Sequence, residues 1–277
     1  MVRLSQVKRV MAVTMVIASA LVVPAQPAAA AKVDPIRALK AQFVAGTGVK
    51  LKTVQQVRVK GGKGSVTQEM GTIQFGPKGA TASDLNEKTR YDKGYFADAD
   101  KDERDVRKSF EAPGRVISLP KATYVQGPRA GQGLPEGKYW VRKRPLPPVP
   151  GGIIINVFEP NTVETLIAKA ESVRGGVVKG STTSAKMAAL SPVFRKRFGA
   201  GGKSGSGQIS TIKYTFSLNS EGLITRLSVK MRMPVGGGKV VDYTSDTRLY
   251  NWGAKVSVVP PRAEAVIDEK DLKSGGR

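Results

Sequence analysis

Residues 212–233, IKYTFSLNSEGLITRLSVKMRM, alternate apolar and polar side chains on either side of a single turn. Ile212, Tyr214, Phe216 and Leu218 alternate with Lys213, Thr215 and Ser217, the two-residue period of a half-buried strand. Asn219-Ser220-Glu221-Gly222 has turn chemistry: Asn bonds its own backbone two residues on, and Gly accepts positive φ. Leu223, Leu227, Val229, Met231 and Met233 follow on the return, set against Arg226, Lys230 and Arg232. An antiparallel hairpin with one dry and one wet face is the expectation.

Beyond the hairpin, a turn at Gly236-Gly237-Gly238 leads to Val241, Tyr243 and Leu249, then Val256 and Val258 before Pro260-Pro261. The hairpin thus grows into a meander, and residues 269–277 read as a disordered tail. Upstream, GAGGKSGSG (199–207) reads as a flexible turn. Residues 181–199 are mixed, with a short helix over Ala185–Leu190 ended by Pro192. Asn161 with Glu164 three residues on resembles a capping box and opens a helix. Its apolar stripe is Val163, Leu166, Ile167 and Ala170, and Gly175-Gly176 stop it. PLPPVPGG (145–152) reads as a Pro-rich, partly extended link. Tyr124-Val125 and Tyr139-Trp140-Val141 read as strands around a Gly-rich turn, and residues 84–111 as a charged bend or surface loop. From about Lys50 the pattern is of short strands broken by Gly, such as Thr72-Ile73-Gln74-Phe75. Before them, Asp34-Pro35 starts a helix with Ile36, Leu39, Phe43 and Val44 on one face, ended by Gly46.

The amino terminus has the three parts of a secretory signal. Arg3, Lys8 and Arg9 precede the apolar run Val10–Val23, which is short for a bilayer span; Pro24 and Ala28-Ala29-Ala30-Ala31 follow. The expectation is a signal peptide over residues 1–31, a mature form starting at Ala31 or Lys32, and a secreted or cell-envelope location. The chain has no Cys, so the lipid anchor of a bacterial lipoprotein is excluded.

Composition removes several chemistries. With no His and no Cys among 277 residues, a Ser-His-Asp triad, a Cys nucleophile, a His-based zinc site and a disulfide framework are all impossible. The chain carries 45 Lys plus Arg against 22 acids; losing the three signal cations leaves +20. Such a charge fits an anionic membrane surface or wall polymer, or simply solubility in a salty exterior. Export and the lack of aromatic interleaving argue against nucleic acid.

Two motifs invite chemistry and lack its context. Gly202-Lys203-Ser204 has Arg197 where a phosphate-binding loop needs its first Gly. Asp98, Asp100, Asp102 and Asp105 evoke a calcium loop, but Glu103 stands at its Gly position and Ser109 at its Glu position. A basic turn and a solvated charged turn are the better readings.

Over residues 34–268 the order of elements resembles the exported carrier fold shared by LolA and the LppX/LprG lipoproteins. The matching pieces are the Asp34–Val44 helix, Gly137-Lys138-Tyr139-Trp140-Val141, the helix after Glu159-Pro160 and the Asn-Ser-Glu-Gly hairpin. The strongest is Leu249-Tyr250-Asn251-Trp252-Gly253-Ala254-Lys255-Val256 followed by Val259-Pro260-Pro261; it is the order and spacing of the pieces together that carries the resemblance. The resemblance implies an α+β fold over residues 32–268: a curved antiparallel β half-barrel with helices packed on its concave apolar face, which binds acyl chains. It implies no catalytic set and no cofactor. Leu39, Phe43, Leu166, Ile167, Tyr214 and Phe216 are the ligand-cavity candidates; in most domains the same stripes would simply be core. The expected function is non-enzymatic binding or carriage of a lipid or other hydrophobic molecule. The alternative is an envelope sensor resembling RseB, which binds a membrane protein partner.

Overall fold

The computed structural model describes residues 33–97, 103–131, 133–199, 209–234 and 238–272. The signal segment, the phosphate-loop look-alike at Gly202-Lys203-Ser204, the Gly236-Gly237 turn and Asp98, Asp100 and Asp102 lie outside them.

Asp34 caps the first helix as its sequence demands, its Oδ1 accepting from the Ile36 and Arg37 amides at 2.8 and 3.2 Å. The helix, α1 (Pro35–Ala41), ends earlier than expected, at the Gln42 cap. Phe43 is half-buried beyond it, and Val44 is exposed rather than on the apolar face. Three long strands follow: β1 (Thr47–Val59), β2 (Gly64–Gly76) and β3 (Gly79–Tyr91). The charged stretch 84–111 is therefore not a loop. Its first part is the second half of β3, and its last part is the helix α2 (Glu103–Glu111). Charge hid the alternation: Leu85, Glu87, Thr89 and Tyr91 point inward while Lys88 and Arg90 point out. Arg107 ties α2 to the end of β3, donating to the Tyr91 and Asp92 carbonyls at 2.7 and 2.9 Å.

Short strands β4 (Gly114–Ser118), β5 (Thr123–Gln126) and β6 (Trp140–Lys143) continue the sheet. The next helix, α3 (Pro160–Ala168), has Glu159 at its cap position and Pro160 in its first turn, so Asn161 lies inside the helix and there is no capping box. Gly175-Gly176 do not stop it; they turn β7 (Ser172–Arg174) into β8 (Val177–Thr183). Pro192 ends one helix, α4 (Ser184–Leu190), and begins another, α5 (Pro192–Phe198), because Ser191 caps the Phe194 amide at 3.0 Å. The hairpin is as read: β9 (Thr211–Leu218) and β10 (Ile224–Pro234) meet at a turn in which Asn219 Oδ1 accepts from Glu221 and Leu223. A long return strand, β11 (Val240–Lys255), and a short β12 (Val266–Asp268) finish the chain. The carboxy-terminal stretch is structured further than expected, with a 3-10 turn over Glu269–Asp271.

Among the described residues the strands form one open sheet, in the order β12-β6-β5-β4-β3-β2-β1-β11-β10-β9-β8-β7. Neighbours are antiparallel except β12 and β6. An open, mostly antiparallel sheet with helices on one face is an α+β fold and fits a curved half-barrel. No helix among the described residues is long and apolar enough to cross a membrane.

The link at 145–152 has a different role from the one its prolines suggested. It opens a strap, residues 144–159, that runs inside the sheet and buries Val149, Ile153, Ile154, Ile155, Val157 and Phe158. These side chains join α1, α3, α4 and α5 and the inward faces of β1, β2 and β8–β11 in one core. A second, small cluster of Val116, Val125, Ala130 and Val141 lies under β4–β6.

Candidate ligand cleft beside the inner strap

Along β1 to β3 the inward positions change character. One end is apolar (Val49, Leu51, Ile73, Phe75); the other places Gln55, Glu69 and Glu87 on the same inner face. Buried carboxylates need partners, and these have them. Glu69 is 2% exposed; it accepts from the Gly151 amide at 2.8 Å and from the Gln55 side-chain amide. Glu87 meets the Arg129 guanidinium at 2.6 Å, while among the described residues its buried Oε2 has no hydrogen-bond partner. Burial pushes the Glu87 carboxyl above its ordinary value, Arg129 pulls it back down, and neighbouring Glu69 adds to the rise.

The strap is pinned from its other side by α5. Arg197 donates to the carbonyls of Pro150, Gly151 and Val149 at 2.7, 2.8 and 3.1 Å. Burial lowers the pKa of this guanidinium, and the Glu69 charge works against that fall. Tyr243 of β11 donates its hydroxyl to the Gly152 carbonyl, and burial pushes the phenol up to about 12. A Cβ at Gly152 would meet the Gln55 side-chain amide, so a larger residue there would have to displace Gln55 from Glu69.

Two clefts flank Gly151 and Arg129. One, of about 430 Å³, has Leu85, Val116, Leu146, Val149 and Phe198 as an apolar wall and Arg129, Lys196 and Arg197 as cations, with Glu69 at its base. The other, of about 400 Å³, is lined by Gln55, Thr67, Glu87, Thr89, Tyr91 and Phe110. Both volumes fall within the range of small-molecule sites. Among the described residues no group of His, Cys, Asp or Glu is arranged to hold a metal.

The six residues singled out from sequence come together elsewhere. Leu39, Leu166, Tyr214 and Phe216 are buried in the main core, and Phe43 and Ile167 pack against it half-buried. Tyr214 Oη donates to the Leu166 carbonyl at 2.7 Å, joining β9 to α3. Neither cleft beside the strap is lined by any of the six. The cleft residues themselves carry no motif. The run Ile153-Ile154-Ile155 after Gly151-Gly152 was the available signal that this segment is buried rather than a linker.

No family model matches the chain, and no curated protein matches its sequence. Solved structures that overlay on it include a LolA superfamily protein from Nitrosomonas europaea. That match has 7% identity and a TM-score of 0.29, and covers 78% of this chain and 92% of the other. A porin-like protein from Bacteroides uniformis overlays at 9% identity and a TM-score of 0.25, over 76% and 98% of the two chains.

Proposed function

We propose that this is an exported, non-enzymatic protein that binds an anionic amphipathic molecule, lipid-like in chemistry, on the concave side of a half-barrel sheet. The observation that carries the reading is the 430 Å³ cleft, in which an apolar wall stands beside three cations. A hydrocarbon segment against Leu85, Val116, Leu146, Val149 and Phe198 leaves water, and an anionic head group meets Arg129, Lys196 and Arg197. Burying six methylenes contributes about 5 kcal/mol, only sub-millimolar affinity, so the head-group contacts must supply the rest. Organic extraction and native mass spectrometry of the purified protein test this directly. Co-purified amphipath, displaced by a fluorescent fatty acid and lost in Val116→Trp, is the expected result. A clean apo protein with no affinity for the probe would sink it.

One observation favours a second reading, an envelope interaction module that binds a membrane protein. The strap fills much of the apolar inner face that an acyl chain would need. Specific capture of one membrane protein by a lipid-free form that Val116→Trp leaves unaffected would select this alternative.

A further inference from the structure

The outer face of the sheet places like charges directly opposite one another. Lys213 on β9 pairs in register with Lys230 on β10. Arg226 on β10 faces Arg248 on β11, and Arg248 in turn faces Lys52 on β1. Like charges opposed across strands destabilise a sheet. Two carboxylates relieve part of the repulsion: Asp246 meets Arg226 at 2.6 Å, and Asp242 meets Arg232 at 3.1 Å. The lysines have no such relief. Lys50, Lys52, Lys88, Lys179, Lys213 and Lys230 are all exposed on this face, and none lies within 4.0 Å of a carboxylate among the described residues.

We infer that this outer face, from β8 across to β3, is a docking track for a linear polyanion such as a phosphate-linked polymer. Three features support a chain-like occupant. The cations lie on six of seven adjacent strands, with none on β2, and span about 29 Å at roughly 4.8 Å per strand, far longer than one head group. The positions between them are mainly Thr, Ser, Gln and Asn, with few apolar side chains to enter a bilayer. At the β9–β11 end the track deepens into a cleft of about 400 Å³ lined by Lys213, Lys230 and Arg232, with Asp242 also in its wall and paired to Arg232, where a chain segment can seat. Phosphates laid over these lysines replace repulsion with attraction and release counterions. The track lies on the opposite side of the sheet from the strap cleft, so it stands or falls independently of the proposed ligand.

Fluorescently labelled long-chain polyphosphate, titrated into the full-length protein, tests the track. Binding should weaken about tenfold or more between 50 and 200 mM salt, as release of several counterions requires. The triple variant Lys50→Glu, Lys52→Glu, Lys230→Glu should weaken binding about tenfold or more at low salt. A Glu at 52 faces Arg248, so the sheet is expected to survive, and an unchanged melting curve verifies it. Should the triple variant fail to fold, Lys52→Glu alone, expected to weaken binding about threefold, replaces it. The charge-matched control reverses Lys40, Lys169 and Lys186, exposed on α1, beside α3 and on α4, and should bind nearly as wild type. Equal loss in both triple variants would show a net-charge effect and overturn the track. So would absence of polyphosphate binding at 50 mM salt, or tighter binding to vesicles of mixed anionic and neutral lipid.

Discussion

Arg197 shows how one side chain organises a loop that has no secondary structure of its own. Backbone carbonyls inside a protein need donors, and a strap crossing a sheet face has no ladder to supply them. The planar guanidinium offers five N–H groups and meets the Val149, Pro150 and Gly151 carbonyls together. Arg197→Met should therefore cost about 3 kcal/mol in urea unfolding. Arg197→Lys should recover less than half, since an ammonium cannot reproduce the fork; full rescue by Lys would show that charge, not geometry, holds the strap. Glu87 makes the complementary case for pH. Its carboxyl is raised above 4.5 by burial, so the folded state holds its proton more tightly than the unfolded chain does. That contribution is fully present below 4.5 and is lost as pH rises through the folded value. Between pH 4 and 7, Glu87→Gln should show a flatter dependence of melting temperature than wild type, with the divergence beginning just above 4.5. Parallel curves would show that Arg129 compensates the burial fully.

Elements whose residues interact locally were legible from sequence, and those defined by distant partners were not. Asp34-Pro35 and Asn219-Ser220-Glu221-Gly222 act within a few residues, and both appear where the sequence placed them. The alternation of 212–233 survived because its inward side chains are all apolar. In β3 the inward set includes Glu87, acceptable only because Arg129 arrives from 42 residues further on; periodicity cannot see such a partner. The Pro192 helix start carried a local signal of the same kind, Ser191 capping the Phe194 amide, but a Pro after an apolar run reads as readily as a helix end. For the candidate site the division is sharper. Stripes on α1, α3 and β9 were visible, but the strap that competes for the same face was disguised by its prolines. Leu166 measures the outcome. It is 2% exposed and packed in the main core, so Leu166→Trp should overpack it and cost about 1–3 kcal/mol. Unchanged melting together with lost binding of a fatty-acid probe would instead reveal unfilled space beneath α3.

Across the whole sheet, two pairings join strands far apart in sequence. First, β1 pairs with β11 along its length, from Thr47 opposite Lys255 to Val59 opposite Val241. Pairings so distant in sequence require a large loop to close before they form, which slows folding. Second, the chain leaves β11 and crosses to the far edge, where Val266–Asp268 lie parallel to Trp140–Arg142. That last strand completes the small cluster, because Ile267 and Leu272 pack half-buried against Val116, Val125, Ala130 and Val141. Ending the chain at Pro261 removes both side chains and leaves β6 paired only with β5. Half-burial of two aliphatic residues sets the loss at about 2 kcal/mol. The Arg142–Asp268 ion pair adds little, because both groups face solvent. The main core does not include these residues. Amide exchange in the truncated protein should therefore accelerate in β5 and β6, by about thirtyfold for that loss, while β9 to β11 keep wild-type protection. A bared β6 edge also offers free N–H and C=O groups to a second copy. Concentration-dependent association of the truncated form, absent from the full chain, is expected alongside. Uniform acceleration across the sheet would instead mean that the two clusters unfold as one unit and that β12 supports the whole molecule rather than its edge.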